Sequence, residues 1–365
     1  MVSFYNSSDD MKDLVKYFII GCKELFSNKV LIISLSIMNL FLISGIIYKE
    51  INNKKGLNKY EDLKSQIIEK METKLVIEEN SSNDSEVHGV TKITNCLKKS
   101  IPKEELSDNL LNIGKQIEDA MNASNLNFAF KYKDLYTGFS LSYNANQPIF
   151  AASTIKAPEA IYIYEEAEKG NINLDEVLTY TSSYYSEGTG VLKNTAFNKN
   201  YTIRQLVGYS VIHSDNAAHL MLNNRYQVQN IREYWQNKGT TSIYKTNSPW
   251  GDLSANDAAI YMEELYNYYL TNTSNSNELI NYFKSAWKVI SAPDNITIAN
   301  KSGWSDNSLH DAAIVFDDNP YVLVILSSRG YTEYTSYFNQ ISNLVYDFHH
   351  AYWDEKINRC TNISE

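Results

Sequence analysis

The apolar residues of this chain change their spacing several times, and each change marks an element. Residues 30–48, VLIISLSIMNLFLISGIIY, carry no charge and are bracketed by Lys29 and Lys49. At about 1.5 Å per helical residue, this run is long enough to cross a bilayer core. The pattern predicts a transmembrane helix. Twenty-nine mostly polar residues precede it and no small-x-small site follows promptly, which argues against a cleaved signal peptide. Lys12, Lys16, Lys23 and Lys29 flank one end, and Lys49, Lys54, Lys55, Lys59 and Lys64 the other, so charge does not orient it.

Residues 57–79 place Leu63, Ile67, Met71 and Leu75 four apart, as an amphipathic helix does. A short coiled coil fits this spacing, although a helix of that length is marginal alone. Residues 80–92 are polar and read as a flexible stalk. The pattern then becomes that of a domain. A helix is predicted over 106–121, and alternating strands over 127–132 and 138–143 around a turn at Asp134. A short run at 148–152 leads into a helix over 154–169. Residues 202–270 are mainly helical, 296–300, 312–316 and 321–327 are strand-like, and 333–352 closes as a long helix. Strands at both ends with helices between predict an α/β or α+β fold whose sheet unites the two ends.

Composition narrows the class. The 365 residues are 43% hydrophobic and 21% charged, which is globular. That length allows one large domain with accessories, or two domains. The net charge of −10 is uneven: residues 1–100 hold 14 Lys+Arg and 13 Asp+Glu, and the remainder 19 and 30. An acidic C-terminal part argues against a nucleic-acid binder. The three cysteines lack metal-ligand spacing. None of the histidines (His88, His213, His219, His310, His349, His350) forms an H-E-x-x-H pattern. They are read as surface or packing residues, and no metal or organic cofactor is expected.

Three short elements carry candidate chemistry: Ser153-Thr-Ile-Lys156, Ser214-Asp215-Asn216 and Lys301-Ser302-Gly303. S-x-x-K occurs four times and S-D-N three times, so neither means much alone; K-[ST]-G occurs once. Context selects among them. Only Ser153 follows an apolar run and opens an Ala- and Ile-rich helix, and Ser214 joins two helical segments. A serine at a helix N-terminus sits among unpaired amides, so its own N–H can face a developing oxyanion. Lys156 lies one turn on, within reach of the hydroxyl. To take a proton it must be neutral part of the time, and burial beside a second cation, Lys301, favours that. Ser214 can relay a proton to a leaving nitrogen. Asn216 can bind a substrate amide, and Lys301 with Ser302 a carboxylate. Gly303 lets a substrate backbone approach, and the Trp304 N–H is the second oxyanion donor. Tyr184, Tyr185, Trp250 and Trp304 are candidate walls of a cleft, packing being the plainer reading for any one of them.

In order, spacing and neighbourhood, residues 105–352 resemble the superfamily of class A β-lactamases and penicillin-binding proteins, serine hydrolases with S-x-x-K, S-D-N and K-T-G elements. The 61-residue gap from Ser153 to Ser214, the EGTGVL stretch at 187–192 and the tail WSDNSLHDAAIVFDDNPYVLVILSS all fit. The resemblance implies a β-lactamase/transpeptidase-like α+β sandwich. It would have a five-stranded antiparallel sheet, an all-helical subdomain and the serine at their junction. It also implies an extracytoplasmic domain. The chain then divides into a cytoplasmic segment (1–29), a transmembrane helix (30–48), an extracytoplasmic linker (49–104), the hydrolase domain (105–352) and a tail (353–365). The expectation is a single-pass protein of the cell membrane with its N-terminus in the cytoplasm. The family's first and last helices pack together, which allows Cys96 and Cys360 to pair if the domain is outside the cell.

One departure bears on mechanism. Ser214 and Lys301 are 87 residues apart, fewer than in class A enzymes. The segment QNKGTTSIYKTNSPWGDLSANDAAIYM, where those enzymes carry a deacylating Glu, has none. Its first acid, Asp252, reads as a loop or cap residue. The expectation is an acyl-Ser153 intermediate with a β-lactam or a D-Ala-D-Ala-like stem peptide of peptidoglycan, and slow hydrolysis of β-lactam adducts. The alternative is a non-turnover receptor or pseudoenzyme that binds β-lactams or cell-wall fragments.

Overall fold

A computed structural model describes residues 92, 94–122, 127–328 and 335–362. The apolar run at 30–48, the amphipathic stretch at 57–79 and nearly all of the stalk at 80–92 lie outside the described residues. Among the described residues no helix is long and apolar enough to cross a membrane.

Period-two patterning builds the sheet. In β1 (Phe128–Asp134), Phe128, Phe130 and Tyr132 point to one face and Ala129 to the other. β2 (Ser140–Tyr143) pairs with β1 across a turn in which the Asp134 carboxylate accepts from both the amide and the hydroxyl of Thr137. A short β3 (Ile149–Phe150) follows. Then come α2 (Lys156–Glu168), after α1 (Asp108–Asn122) at the start, and a two-strand pair, β4 (Val177–Tyr180) with β5 (Lys199–Thr202). Helices α3 (Ile203–Ile212), α4 (Asn216–Tyr226) and α5 (Val228–Asn237) precede β6 (Asp252–Leu253), which pairs with β3. Next are α6 (Ala255–Leu270) and α7 (Ser274–Lys284), then β7 (Thr297–Ser305), β8 (Ser308–Phe316) and β9 (Tyr321–Ser327), and finally α8 (Thr335–Asn362).

The main sheet is antiparallel in the order β2-β1-β9-β8-β7, so its two ends do come from the two ends of the domain. Both faces are covered. Phe128, Phe130, Tyr132, Leu323 and Ile325 pack on α1 and α8. Ala129, Val322, Val324 and Leu326 face the helical layer around α2. The α+β sandwich expected from the sequence is the architecture observed. Helix α2 is buried on nearly every side, so it carries Ala157, Ala160, Ile161 and Ile163 all round rather than on one stripe.

Several elements differ from the sequence reading. β7 extends five residues past the predicted end at 300 and takes in Lys301, Ser302 and Gly303, whose weak strand preference hid it. α7 was not predicted: its first turn, Ser-Asn-Ser-Asn, reads as loop, yet the Thr273 hydroxyl caps it and Leu279, Ile280 and Phe283 anchor it. α8 continues to Asn362, so most of the stretch read as a tail is helical. Trp353 donates to Asp134, and Cys360 is joined to Cys96 by a disulfide with a Cα–Cα distance of 5.6 Å. Asp252 is no cap: it lies in β6, and Ser254 caps α6 by accepting from the Asp257 amide.

Candidate active site

Ser153 lies in a 3₁₀ turn, Ala152–Ile155, that runs straight into α2. The turn is held below by Ala151, whose amide donates to Gly251 O at 2.9 Å and whose carbonyl accepts from the Thr154 amide and hydroxyl. Lys156 therefore opens the α-helix one turn beyond the serine, wholly buried. Its Nζ donates toward Ser153 Oγ (3.1 Å), Ser214 O (2.6 Å), Ser214 Oγ (3.3 Å) and Asn216 Oδ1 (2.7 Å). Burial pushes the amine well below the usual lysine range, and the nearby Lys301 cation pushes the same way.

Ser214 is held at the junction of two helices. α3 is started by a Thr202–Gln205 capping box, and α4 by the Asp215 carboxylate, which accepts from the Ala218 amide. Between them Ser214 adopts φ = +51°, a conformation that L-residues rarely take. The stretch 187–192 clamps this turn. Asp215 Oδ2 accepts from Val191 N (2.6 Å) and Leu192 N (2.7 Å), the Thr189 hydroxyl donates to Ser214 O, and Asn216 Nδ2 donates to Glu187 O. Gly190 is required here: its φ is +126°, and a Cβ on it would lie 2.5 Å from the Asp215 carboxylate.

The third element arrives on β7. Lys301 Nζ donates to Ser214 Oγ at 3.1 Å and to Ser302 O at 2.8 Å. Burial lowers its pKa to about 7, opposed by the negative charge of Asp311. The chain Ser153 Oγ, Lys156 Nζ, Ser214 Oγ, Lys301 Nζ is thus continuous, with each step between 3.1 and 3.3 Å. Gly303 sets the strand against the serine: a Cβ there would meet Thr154 N at 2.7 Å and Ser153 N at 2.8 Å. Its neighbour Trp304 carries a half-exposed ring. Ser302 is placed differently from the carboxylate role expected of it. Its one hydroxyl proton goes to Trp287 O at 2.7 Å, so donation to a substrate requires that hydroxyl to turn.

Two polar groups beneath the site were not read from the sequence. Asp311, buried on β8 opposite Ser302, accepts from Val289 N, Ile290 N and Asn300 Nδ2, and burial raises its pKa to about 6. An acid inside the apolar strand Ser308–Phe316 was the available signal. Glu159, His219 and Asn223 form a second buried cluster, one turn along α2 from Lys156. Trp250 stands over Lys156, with its ring centroid 5.4 Å from Nζ. Tyr184, Tyr185, Trp250 and Trp304 are each half-buried or more exposed. Among the described residues no group of His, Cys, Asp and Glu is arranged to hold a metal ion.

Chemically, the site holds a hydroxyl beside an amine whose hold on its proton is weakened by burial, a second hydroxyl between two amines, and a strand edge against the serine amide. Residues 112–349 match the family model described as "Beta-lactamase enzyme family". No curated protein matches the chain. Among solved structures, a mutant of PBP-A, as its acyl-enzyme complex with penicillin G, is 22% identical. It has a TM-score of 0.61, covering 66% of this chain and 97% of that one. The TLA-1 extended-spectrum β-lactamase is 16% identical, with a TM-score of 0.58, covering 65% and 98%. A β-lactamase from Sphaerobacter thermophilus is 15% identical, with a TM-score of 0.57, covering 64% and 95%. At these identities the solved structures establish the fold.

Proposed function

Because the chain belongs to the β-lactamase enzyme family, we propose that it is a serine hydrolase working through an acyl-Ser153 intermediate on β-lactams or D-Ala-D-Ala-like amides. The hydrogen-bonded chain from Ser153 through Lys156 and Ser214 to Lys301 carries this reading. Neutral Lys156 takes the hydroxyl proton as Ser153 Oγ bonds to the substrate carbonyl carbon. The Ser153 and Trp304 amides face the oxygen that gains charge. The proton returns through Ser214 to the leaving nitrogen. Asn216 orients the substrate amide. Lys301, with Ser302 once its hydroxyl turns and Gly303 at the strand edge, receives a carboxylate, which in turn favours the charged amine. No step calls for a metal or an organic cofactor.

The segment between α5 and α6 supplies no Glu, which supports slow deacylation of β-lactam adducts. In this reading the domain works outside the cell membrane on antibiotic or peptidoglycan stem peptide, with residues 30–48 as a single-pass anchor and the N-terminus inside. Fluorescent penicillin followed by intact mass tests it. A persistent adduct on Ser153, absent from Ser153→Ala, is expected. Sustained nitrocefin turnover at the rate of an efficient β-lactamase refutes slow deacylation. No adduct with any β-lactam or D-Ala-D-Ala ester leaves the non-turnover binding module as the better account.

A further inference from the structure

The steps above leave the cluster beneath Lys156 unused. Glu159 follows Lys156 by one turn of α2 and is wholly buried. Its Oε2 lies 2.8 Å from His219 Nδ1, and its Oε1 accepts from Asn223 Nδ2. On the far side of the imidazole, His219 Nε2 lies 3.0 Å from Pro249 O. A carbonyl only accepts, so Nε2 carries a proton and Nδ1 faces the carboxyl group. The same ring packs against the Trp250 indole, with centroids 4.8 Å apart. Buried groups of α2 and α4 thus fix the 248–250 turn from below, and Trp250 N donates to Ser248 Oγ within it. The next residue, Gly251, is tied to Ala151. The outcome is an indole held over the Lys156 amine, which is itself 3.1 Å from Ser153 Oγ.

We propose that Trp250 is a positioning residue that keeps water off Lys156 and so prolongs the life of acyl-Ser153, with Glu159 and His219 holding the indole in place. This rests on the acyl-enzyme reading above. Release of the acyl group needs a water whose oxygen bonds to the ester carbonyl carbon while the carbon–Oγ bond breaks. One water proton returns to Ser153 Oγ, and the acid departs. The free amine of Lys156 is a base for that water, and the indole covers it. Removing the indole opens a space well above the ~30 Å³ of one water, beside a polar amine that can bind it. The missing Glu explains why no carboxylate is poised over a water. The indole adds that the remaining base, Lys156, is kept dry.

The experiment compares wild type with Trp250→Ala, Trp250→Leu and Trp250→Phe. Acylation by fluorescent penicillin is followed by stopped flow, and adduct half-life by intact mass. Trp250→Ala is expected to shorten the half-life at least tenfold, and Trp250→Phe is expected to restore most of the lifetime. An unchanged half-life of the adduct in both Ala and Leu variants overturns the proposal. A second readout needs no acyl-enzyme: competitive acetylation of Lys156, quantified on its peptide. Faster labelling in Trp250→Ala than in Trp250→Phe supports the shield, and equal labelling in all variants overturns it. If wild type forms no adduct, the hydrolase reading fails, and the labelling result still decides whether the indole covers the amine.

Discussion

Replacing Gly303 by alanine tests whether β7 is seated directly on the serine turn. The added Cβ would stand 2.7 Å from Thr154 N, 2.8 Å from Ser153 N and 3.1 Å from Ala151 O. All three atoms are backbone, so no side chain can swing away. Reaching ordinary contact near 3.4 Å requires strand and turn to part by roughly 0.7 Å in a close-packed interior. Overpacking of this kind costs about 1–3 kcal/mol. For a domain of this size that corresponds to a Tm drop of about 2–12 °C. Misplacing reacting groups by ~1 Å costs on the order of 100-fold in rate, so the smaller shift here predicts an acylation rate lowered at least ~10-fold. The sequence suggested a different reason for glycine, room for a substrate backbone. That reason alone predicts weaker substrate binding with an unchanged Tm. Thermal melts and stopped-flow acylation with fluorescent penicillin separate the two. An unaltered Tm together with an acylation rate within threefold of wild type refutes the seating argument.

Three further outcomes follow from the same contacts. Lys301 has a folded pKa of about 7 against 10.5, so between those values the unfolded chain binds the extra proton and stability rises with pH; Lys301→Met removes that slope, seen as a flatter Tm between pH 7 and 10 and loss of binding to carboxylate-bearing substrates. A disulfide closing 264 residues is worth up to roughly 5 kcal/mol, so Cys96→Ser, or reduction of the wild type, is expected to lower the denaturant midpoint clearly, and coincident curves refute the bond's contribution. Asp215→Ala strips partners from the Val191, Leu192 and Ala218 amides; protease nicking within 187–192 and an acylation rate down at least ~10-fold are expected, whereas Asp215→Asn retains part of both.

The fold was legible where burial is one-sided or continuous over a long run. Val322, Val324 and Leu326 on one face and Leu323 and Ile325 on the other make β9 apolar throughout, which is how a central strand covered on both faces reads. Ends were harder. β7 continues through Lys301 because that amine finds Ser214 and Ser302 in the interior, and no local pattern records a partner 87 residues away. The last turns of α8 carry charges, so they resemble a solvated tail; Trp353 and Cys360 bury one side of them through Asp134 and Cys96.

The same contrast divides the site. Ser153 and Lys156 are three apart on one helical turn, and Ser214, Asp215 and Asn216 are consecutive, so their relation is written into local spacing. Placing Lys301 beside Ser214 needs the sheet, and only the resemblance in motif order stands in for it at the level of sequence. Glu159, His219 and Asp311 have neither aid. Each is a single polar residue within an apolar or loop segment, with named partners 11 to 64 residues away. In the sequence only Asp311, an acid inside an apolar strand, stands apart from solvated residues. Burial makes them consequential, because a carboxyl or imidazole cut off from water must find a partner, and the partner it finds fixes a backbone. Glu159 and His219 fix the 249–250 turn, and Asp311 fixes 289–290 and, through Asn300, the carbonyl of Trp287 that holds Ser302. The residues proposed to react are thus set in short motifs, while those that hold their surroundings are set by packing between distant segments.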